Sequence, residues 1–429
     1  MLDKLIEILR ASGADAWEVT DTHRIGWEFY FIRHKLDQNR FTDTEAYTVK
    51  VYRKINEGKF LGSAQADIST TASEEEIRRI VDGLCQDAQY VLNPAYALNK
   101  PVSQAPVPET PVDVKAISRD FLQALSSLPE TATEDLNSYE IFVSEIRRRF
   151  INSEGVDVTA VYPSSTVEAV VNARRDGHEI ELYRFYKSGA CDAQQLSRDL
   201  SETLRYGRDK LIAGETPALG TADVVLSTDA ATEVYDYFIS RMSAALIYRR
   251  ISSWEIGKPI AEQFSGDKVT VRALKELPNS SSNGAYDAEG APVRDLLIMD
   301  AGVPVHYFGS RQFSQYMGLE DSFIPGNFEV TGGTLSADEL RQGAFLEVVE
   351  FSDFQVSVLN GDIAGEIRLA YWHDGKGNVT AVSGGSVSGS LADLLSDMRF
   401  SKESRQYNNL RIPAVTRLNG ATVTGIAGA

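Results

Sequence analysis

Cysteine is almost missing from this chain of 429 residues: it occurs twice, as Cys85 and Cys191. Two thiols so far apart, in no pairing motif, exclude a disulfide framework and read as reduced, buried side chains of an intracellular protein. Histidine is nearly as scarce. His23, His34, His178, His306 and His373 are scattered, and none lies close enough to another for one helix face to offer zinc two imidazoles. "HEIEL", from His178, begins with His-Glu but alternates like a strand and has no second histidine.

Long apolar runs are lacking too, and none approaches the roughly 20 residues of a membrane span. The opening "MLDKLIEILR" is cut by charges and reads as an amphipathic helix rather than a signal segment, so the cytoplasm is the expected compartment. Basic runs are scarce, Arg147–Arg149 being too short to count: 43 Lys and Arg face 61 Asp and Glu, a formal charge of −18. That field repels phosphate backbones, and neither nucleic acid nor a membrane is expected as a direct partner. Nucleophile and phosphate motifs are also missing. "GGSVSGS" puts Val387 where a hydrolase elbow would hold serine, and no glycine-rich phosphate loop occurs.

What is present describes a soluble globular protein, with 43% hydrophobic and 24% charged residues. A first helix precedes strand-like runs at "WEFYFIRH", "EAYTVKVYRK" and "KFLGSAQADI", with a hairpin turn at Asn56–Gly58. Ser73 with Glu76 marks the start of a second helix. The proline-rich "NPAYALNKPVSQAPVPETPVD" reads as an extended connection. Further strands turn at Ser153–Gly155 and at Asp176-Gly177, and a helix runs through "DAQQLSRDLSETLRYGRDKL". The second half opens with "ADVVLS" and a helix "AATEVYDYFISRMSAALIYRR" capped by Asp229, then turns largely to strands. No internal repeat is visible. The prediction is an α+β fold of two domains, an N-terminal helix-and-sheet domain over 1–215 and a β-rich C-terminal domain over 216–429.

Several segments then fall together. "INSEG" (151–155), "SSWEIGKPIAE" (252–262), "YDAEGAPV" (286–293), "DAGVPVHYFGSRQFSQYMG" (300–318), "GGSVSGSLADLLSDM" (384–398) and "RIPAVTRLNGATVTG" (411–425) follow one another in an order and spacing that resembles the TldD/PmbA family. The PmbA branch of that family is also called TldE and is often labelled modulator of DNA gyrase. Gly326-Asn327-Phe328 and Ser388-Gly389-Ser390 depart from its usual pattern, which marks a divergent member. The resemblance implies a two-domain α+β protein that dimerises, with itself or with a TldD-like subunit, in a metallopeptidase acting on peptides. Zinc would belong to the TldD branch, on a His-Glu-x-x-x-His helix with a later cysteine. Here the matching helix is "EVYDYFIS", the approximate histidine positions hold Glu233 and Phe238, and no cysteine follows Cys191. The resemblance therefore implies a TldE-like subunit without metal or catalytic residue of its own, the zinc being expected only in the partner. The alternative is a non-enzymatic homodimer that binds peptides or regulates another protein.

The candidate cleft or binding residues are Asp287, Glu289 and Gly290, with Ser252, Ser253, Gly326 and Asn327. Asp287 and Glu289 favour a tight turn in which Gly290 supplies positive φ and Asp287 bonds local amides. A place on a cleft or partner contact is compatible with that reading. Glu233 and Asp236, three apart on a helix, read as a solvated face before a weak hard-cation site. Tyr235, Tyr237, Phe238, Tyr248 and Trp254 read as core before a peptide-binding surface.

Overall fold

The computed structural model describes residues 1–102, 109–128, 130–319 and 322–426. Part of the proline-rich connection, 103–108, lies outside the described residues.

The first helix, α1 (Leu2–Ala11), buries Leu5, Ile8 and Leu9, the i, i+3, i+4 stripe of an amphipathic helix. Three strands follow, β1 (Ala16–Ile32), β2 (Lys35–Ile55) and β3 (Phe60–Ile68), then α2 (Glu74–Asp87). The β2–β3 turn falls where expected, with Asn56, Glu57 and Gly58 all at positive φ. Ser73 caps α2 by accepting the Glu76 amide at 3.2 Å. The second set is α3 (Val114–Ser126), β4 (Glu134–Asn152), β5 (Asp157–Arg175), β6 (His178–Ser188) and α4 (Ala193–Lys210). All six strands form one sheet, ordered β3-β2-β1-β4-β5-β6 and antiparallel throughout.

This half is one helix–three strands–helix unit laid beside another, joined along β1 and β4. The sequence hides the duplication because the two cores use different side chains. Trp17, Tyr47 and Ile77 pack under α1 and α2, whereas Phe121, Tyr139 and Leu200 pack under α3 and α4. β1 and β2 are also longer than their apolar cores predict. Glu18–Arg24 and Lys35–Thr44 are polar and alternate weakly, yet pairing with β4 and with each other holds them extended.

The second half contains two more sheets. After β7 (Gly214–Glu215), the last strand of the first half, β8 (Gly220–Leu226), α5 (Ala231–Ser240) and α6 (Ala244–Tyr248) open it. β9 (Thr270–Leu274), β10 (Leu296–Asp300), β11 (Val303–Pro304), α7 (Arg311–Tyr316), β12 (Asn327–Thr331) and α8 (Ala337–Leu340) come next. The chain ends in β13 (Ala344–Val356), β14 (Asp362–Asp374), β15 (Val379–Ser383), β16 (Ser386–Ser390), α9 (Leu391–Leu394), β17 (Arg399–Phe400), β18 (Ser404–Tyr407), β19 (Leu410–Pro413) and β20 (Thr416–Thr424). One sheet runs β11-β10-β9-β12-β19-β18. In the other, β13-β8-β20-β16-β14 closes on itself because β14 also pairs with β13. Closure leaves those strands without a free edge.

The long helix expected after "ADVVLS" is two short ones. Ser243 is extended (ψ 130°) and forms a bridge with Phe308, so tertiary pairing stops the helix after Ser240. α5 is buried against both C-terminal sheets through Val234, Tyr235, Tyr237 and Phe238. The halves share a small core of Leu182, Tyr206, Val349 and Leu369, and β7 already pairs with β15.

Candidate functional site

A cavity of about 620 Å³ lies between the halves, walled by β6 and α4 on one side and by the start of α5 with β18 and β19 on the other. Its apolar surface comes from Leu196, Leu200, Tyr206, Phe328, Tyr407 and Leu410. Five carboxylates line it, Asp192, Asp199, Glu202, Asp229 and Asp236, against three cations, Arg184, Lys187 and Arg405.

The partners decide what that charge can do. Arg184 is forked onto Glu350, a buried carboxylate. Arg405 meets Asp199 at 2.9 Å and Glu202 at 3.8 Å while lying over the Tyr407 ring. Asp192 caps α4 by accepting the Gln195 amide at 2.9 Å. The carboxylates of Asp229 and Asp236 have no hydrogen-bond or ion-pair partner among the described residues. Asp229 does not cap α5, contrary to expectation: the N-cap is Ala230, and only the Asp229 carbonyl accepts from Thr232. Its carboxylate is thereby left to the cavity. Asp236 reaches solvent, yet the cleft walls desolvate it and, with Glu233 nearby, push its carboxyl up to about 6.

Asp229, Thr232 and Asp236 thus present one face of the α5 start to the cavity, at i, i+3 and i+7. Glu233 points elsewhere: desolvation raises its pKa, and the Val356 amide bonded to it works in the opposite direction. Phe238 is 1% exposed and stacks on Trp254 at 6.0 Å. Zinc needs imidazole, thiolate or carboxylate donors converging on one point. A phenyl ring in the core offers none, and the donor set around α5 does not fit that ion. Among the described residues no group of three or more His, Cys, Asp or Glu is arranged to hold a metal.

The aromatic residues around α5 divide. Tyr235, Tyr237, Phe238 and Trp254 are core, with Tyr235 Oη 2.6 Å from Thr416 Oγ1. Tyr248 is 42% exposed and packs instead against Tyr316 of α7, ring centroids 5.0 Å apart and tilted by 41°.

The "YDAEGAPV" loop lies beside a second, smaller cavity of about 260 Å³, walled by Arg148, Phe150 and Tyr162 of the first sheet and by Ser281–Asp287 and Ile324–Gly326. Asp287 is buried and saturated. Its Oδ1 accepts the amides of Glu289 (2.8 Å) and Ala291 (2.9 Å), and its Oδ2 accepts that of Ile324 (2.8 Å). Gly290 has φ +75°, and a Cβ there would lie 2.7 Å from Val156 and 2.8 Å from Phe150. Glu289 accepts the Arg311 amide at 2.7 Å, at the first residue of α7. Burial beside Glu18 and Asp287 pushes its carboxyl up to about 7, against the pull of that amide. Asn99 donates to the Glu289 carbonyl and Arg148 to the Ala288 carbonyl, so the loop ties the halves together.

The remaining candidates are structural in their contacts. Asn327 is fully buried, donating to Lys275 and Ser282 carbonyls and accepting from Ser280 at 2.6 Å. A Cβ on Gly326 would meet the Ser282 carbonyl oxygen at 2.6 Å. Ser252 is buried, Ser253 is exposed, and neither lines either cavity. Thr232, Arg184 and Arg405 carry no signal in the sequence, and Asp229 reads there only as a helix cap.

Residues 219–425 match the family model of the PmbA/TldA metallopeptidase C-terminal domain. No curated protein matches the sequence. The whole fold resembles three solved structures. TldE from Thermococcus kodakarensis is 14% identical, with TM-score 0.76 over 99% of this chain and 100% of that one. A proposed modulator of a DNA gyrase from Thermotoga maritima is 15% identical, with TM-score 0.77 over 99% of both chains. Another from Bacteroides thetaiotaomicron is 16% identical, with TM-score 0.77 over 99% of this chain and 98% of that one.

Proposed function

We propose, from the premise that the C-terminal half of this chain is a PmbA/TldA metallopeptidase C-terminal domain on a fold similar from end to end to that of TldE, that the protein is a zinc-free, peptide-holding subunit of a two-subunit metallopeptidase. Residues 1–215 would supply one wall of the peptide cleft and residues 216–429 the other. The partner would be a cytoplasmic relative bearing the His-Glu-x-x-x-His helix, and the chain would pair with itself when alone.

The observation that carries this reading is the face of α5. A cleft large enough for several side chains persists between the halves, while the helix beside it presents Asp229, Thr232 and Asp236 and sends Phe238 into the core. That combination holds a ligand without providing the Lewis acid that hydrolysis of a peptide bond uses in metallopeptidases. The acidic composition makes direct contact with DNA unfavourable, so a role near gyrase would run through protein contacts.

The test is metal content and casein hydrolysis for the purified chain, alone and mixed with a His-Glu-x-x-x-His relative from the same cell. Zinc below stoichiometry and hydrolysis only in the mixture is the expected result. Hydrolysis by the chain alone would overturn it. Peptide binding with no hydrolysis in the mixture would favour the homodimeric peptide holder or regulator.

A further inference from the structure

Resting on the peptide-cleft reading, we infer that the larger cavity selects cationic segments, taking a lysine or arginine side chain against the unpartnered carboxylates of Asp229 and Asp236. The pairing pattern carries this. Two of the three lining cations are committed: Arg184 to Glu350, and Arg405 to Asp199 and Glu202. The third, Lys187, lines the cavity from the outward register of β6 that it shares with Phe185, one cation against the two open carboxylates. The charge left to meet a ligand is therefore negative, and it is concentrated at the α5 wall.

The rest of the cavity suits the stem of such a side chain. Lysine and arginine carry three or four methylenes behind the charge, which pack on apolar surface while the head seeks a polar partner. Tyr206, Phe328 and Tyr407 offer that surface within the same cavity as the two carboxylates. A glutamate or aspartate would instead bring like charge against Asp229 and Asp236 with both arginines already occupied, and like charges at such a contact strongly disfavour binding.

Three fluorescein-labelled unstructured peptides of equal length, differing only in lysine, glutamine or glutamate at two central positions, would be titrated into the full chain by fluorescence anisotropy at neutral pH. The lysine peptide is expected to bind roughly tenfold more tightly than the glutamine peptide, with the difference shrinking as salt is raised. The glutamate peptide should be weakest. In the double variant D229N/D236N the lysine advantage should vanish, and a urea midpoint matching the parent's shows independently that the variant is folded. Equal binding of lysine and glutamine peptides would overturn the charge selection and leave the peptide cleft standing. A lysine preference that survives in the double variant would place the selecting charge elsewhere and overturn it too. If none of the three binds, the peptide cleft fails and this inference fails with it.

Discussion

Two sets of carboxylates, close in type and different in employment, divide this molecule. Asp287 and Glu289 stand in the more conspicuous motif, and their oxygens are spent on backbone amides: three for Asp287, and the first amide of α7 for Glu289. Asp229 and Asp236 stand in an ordinary amphipathic helix and its approach, and neither carboxylate has a hydrogen-bond or ion-pair partner among the described residues. A motif recognisable in sequence thus marks where the backbone needs a fixed acceptor, while an unremarked helix face supplies the negative charge that a ligand can meet. Oxygen atoms already used for holding a loop together are poorly placed to do chemistry as well.

The sharpest way to test that division is through the positions that each set leaves behind in the core. Phe238→Ala empties a fully buried ring site beside Trp254 and should lower stability by about 3–5 kcal/mol, read as a shift in urea midpoint. A loss below about 1 kcal/mol would mean that α5 tolerates a different side chain there, and that its approximate metal position is not fixed by packing. Next in size is Asp287→Ala, which leaves three backbone amides without their acceptor and should cost about 3 kcal/mol. Asp229→Asn should stay within about 0.5 kcal/mol of the parent, and Asp236→Asn should match or exceed the parent at neutral pH, because burial opposes the charge that the substitution removes. A similar loss at all three aspartates would erase the contrast between loop and helix.

The pH dependence sharpens it further. In the folded chain Glu289 holds its proton up to about 7, above its ordinary 4.5. Between those values the folded state binds a proton that the unfolded chain has released. The stability contributed by this group is therefore complete below pH 4.5 and lost as pH rises toward 7. Glu289→Gln should flatten that part of the stability profile and leave the hydrogen bond from the Arg311 amide available. An unchanged slope would move the titrating group to Glu18, the neighbouring carboxylate that burial also raises.

Local chemistry was legible in the sequence where one short segment decided the structure. The Ser73 cap, the positive-φ turn at Asn56–Gly58 and the knot made by Asp287 and Gly290 each depend on residues a few positions apart. The break between α5 and α6 was not legible, because Ser243 answers to Phe308. Nor was the larger cavity, whose walls run from Arg184 to Leu410 and meet only once both halves have folded. The chain pairing that extends β2 through polar Lys35–Thr44 belongs to the same class: the cause is a neighbour distant in sequence or a partner strand, rather than an apolar period.

The seam between the two halves of the first sheet also sets an order of events. Hairpins β1–β2 and β4–β5 close within neighbouring stretches of chain, but Glu18 must wait for Asn152, and Ile32 for Ser138, before β1 meets β4. Loop closure over such a distance is slow relative to hairpin formation, so the first unit emerges from the ribosome with one flank of β1 unsatisfied. During that interval the nascent chain offers a sticky flank to other chains, and a holding chaperone is the expected remedy. Pulse-labelled hydrogen exchange during refolding should find amides shared by β4 and β5 protected before those shared by β1 and β4; simultaneous protection would mean that the seam is part of the nucleus itself.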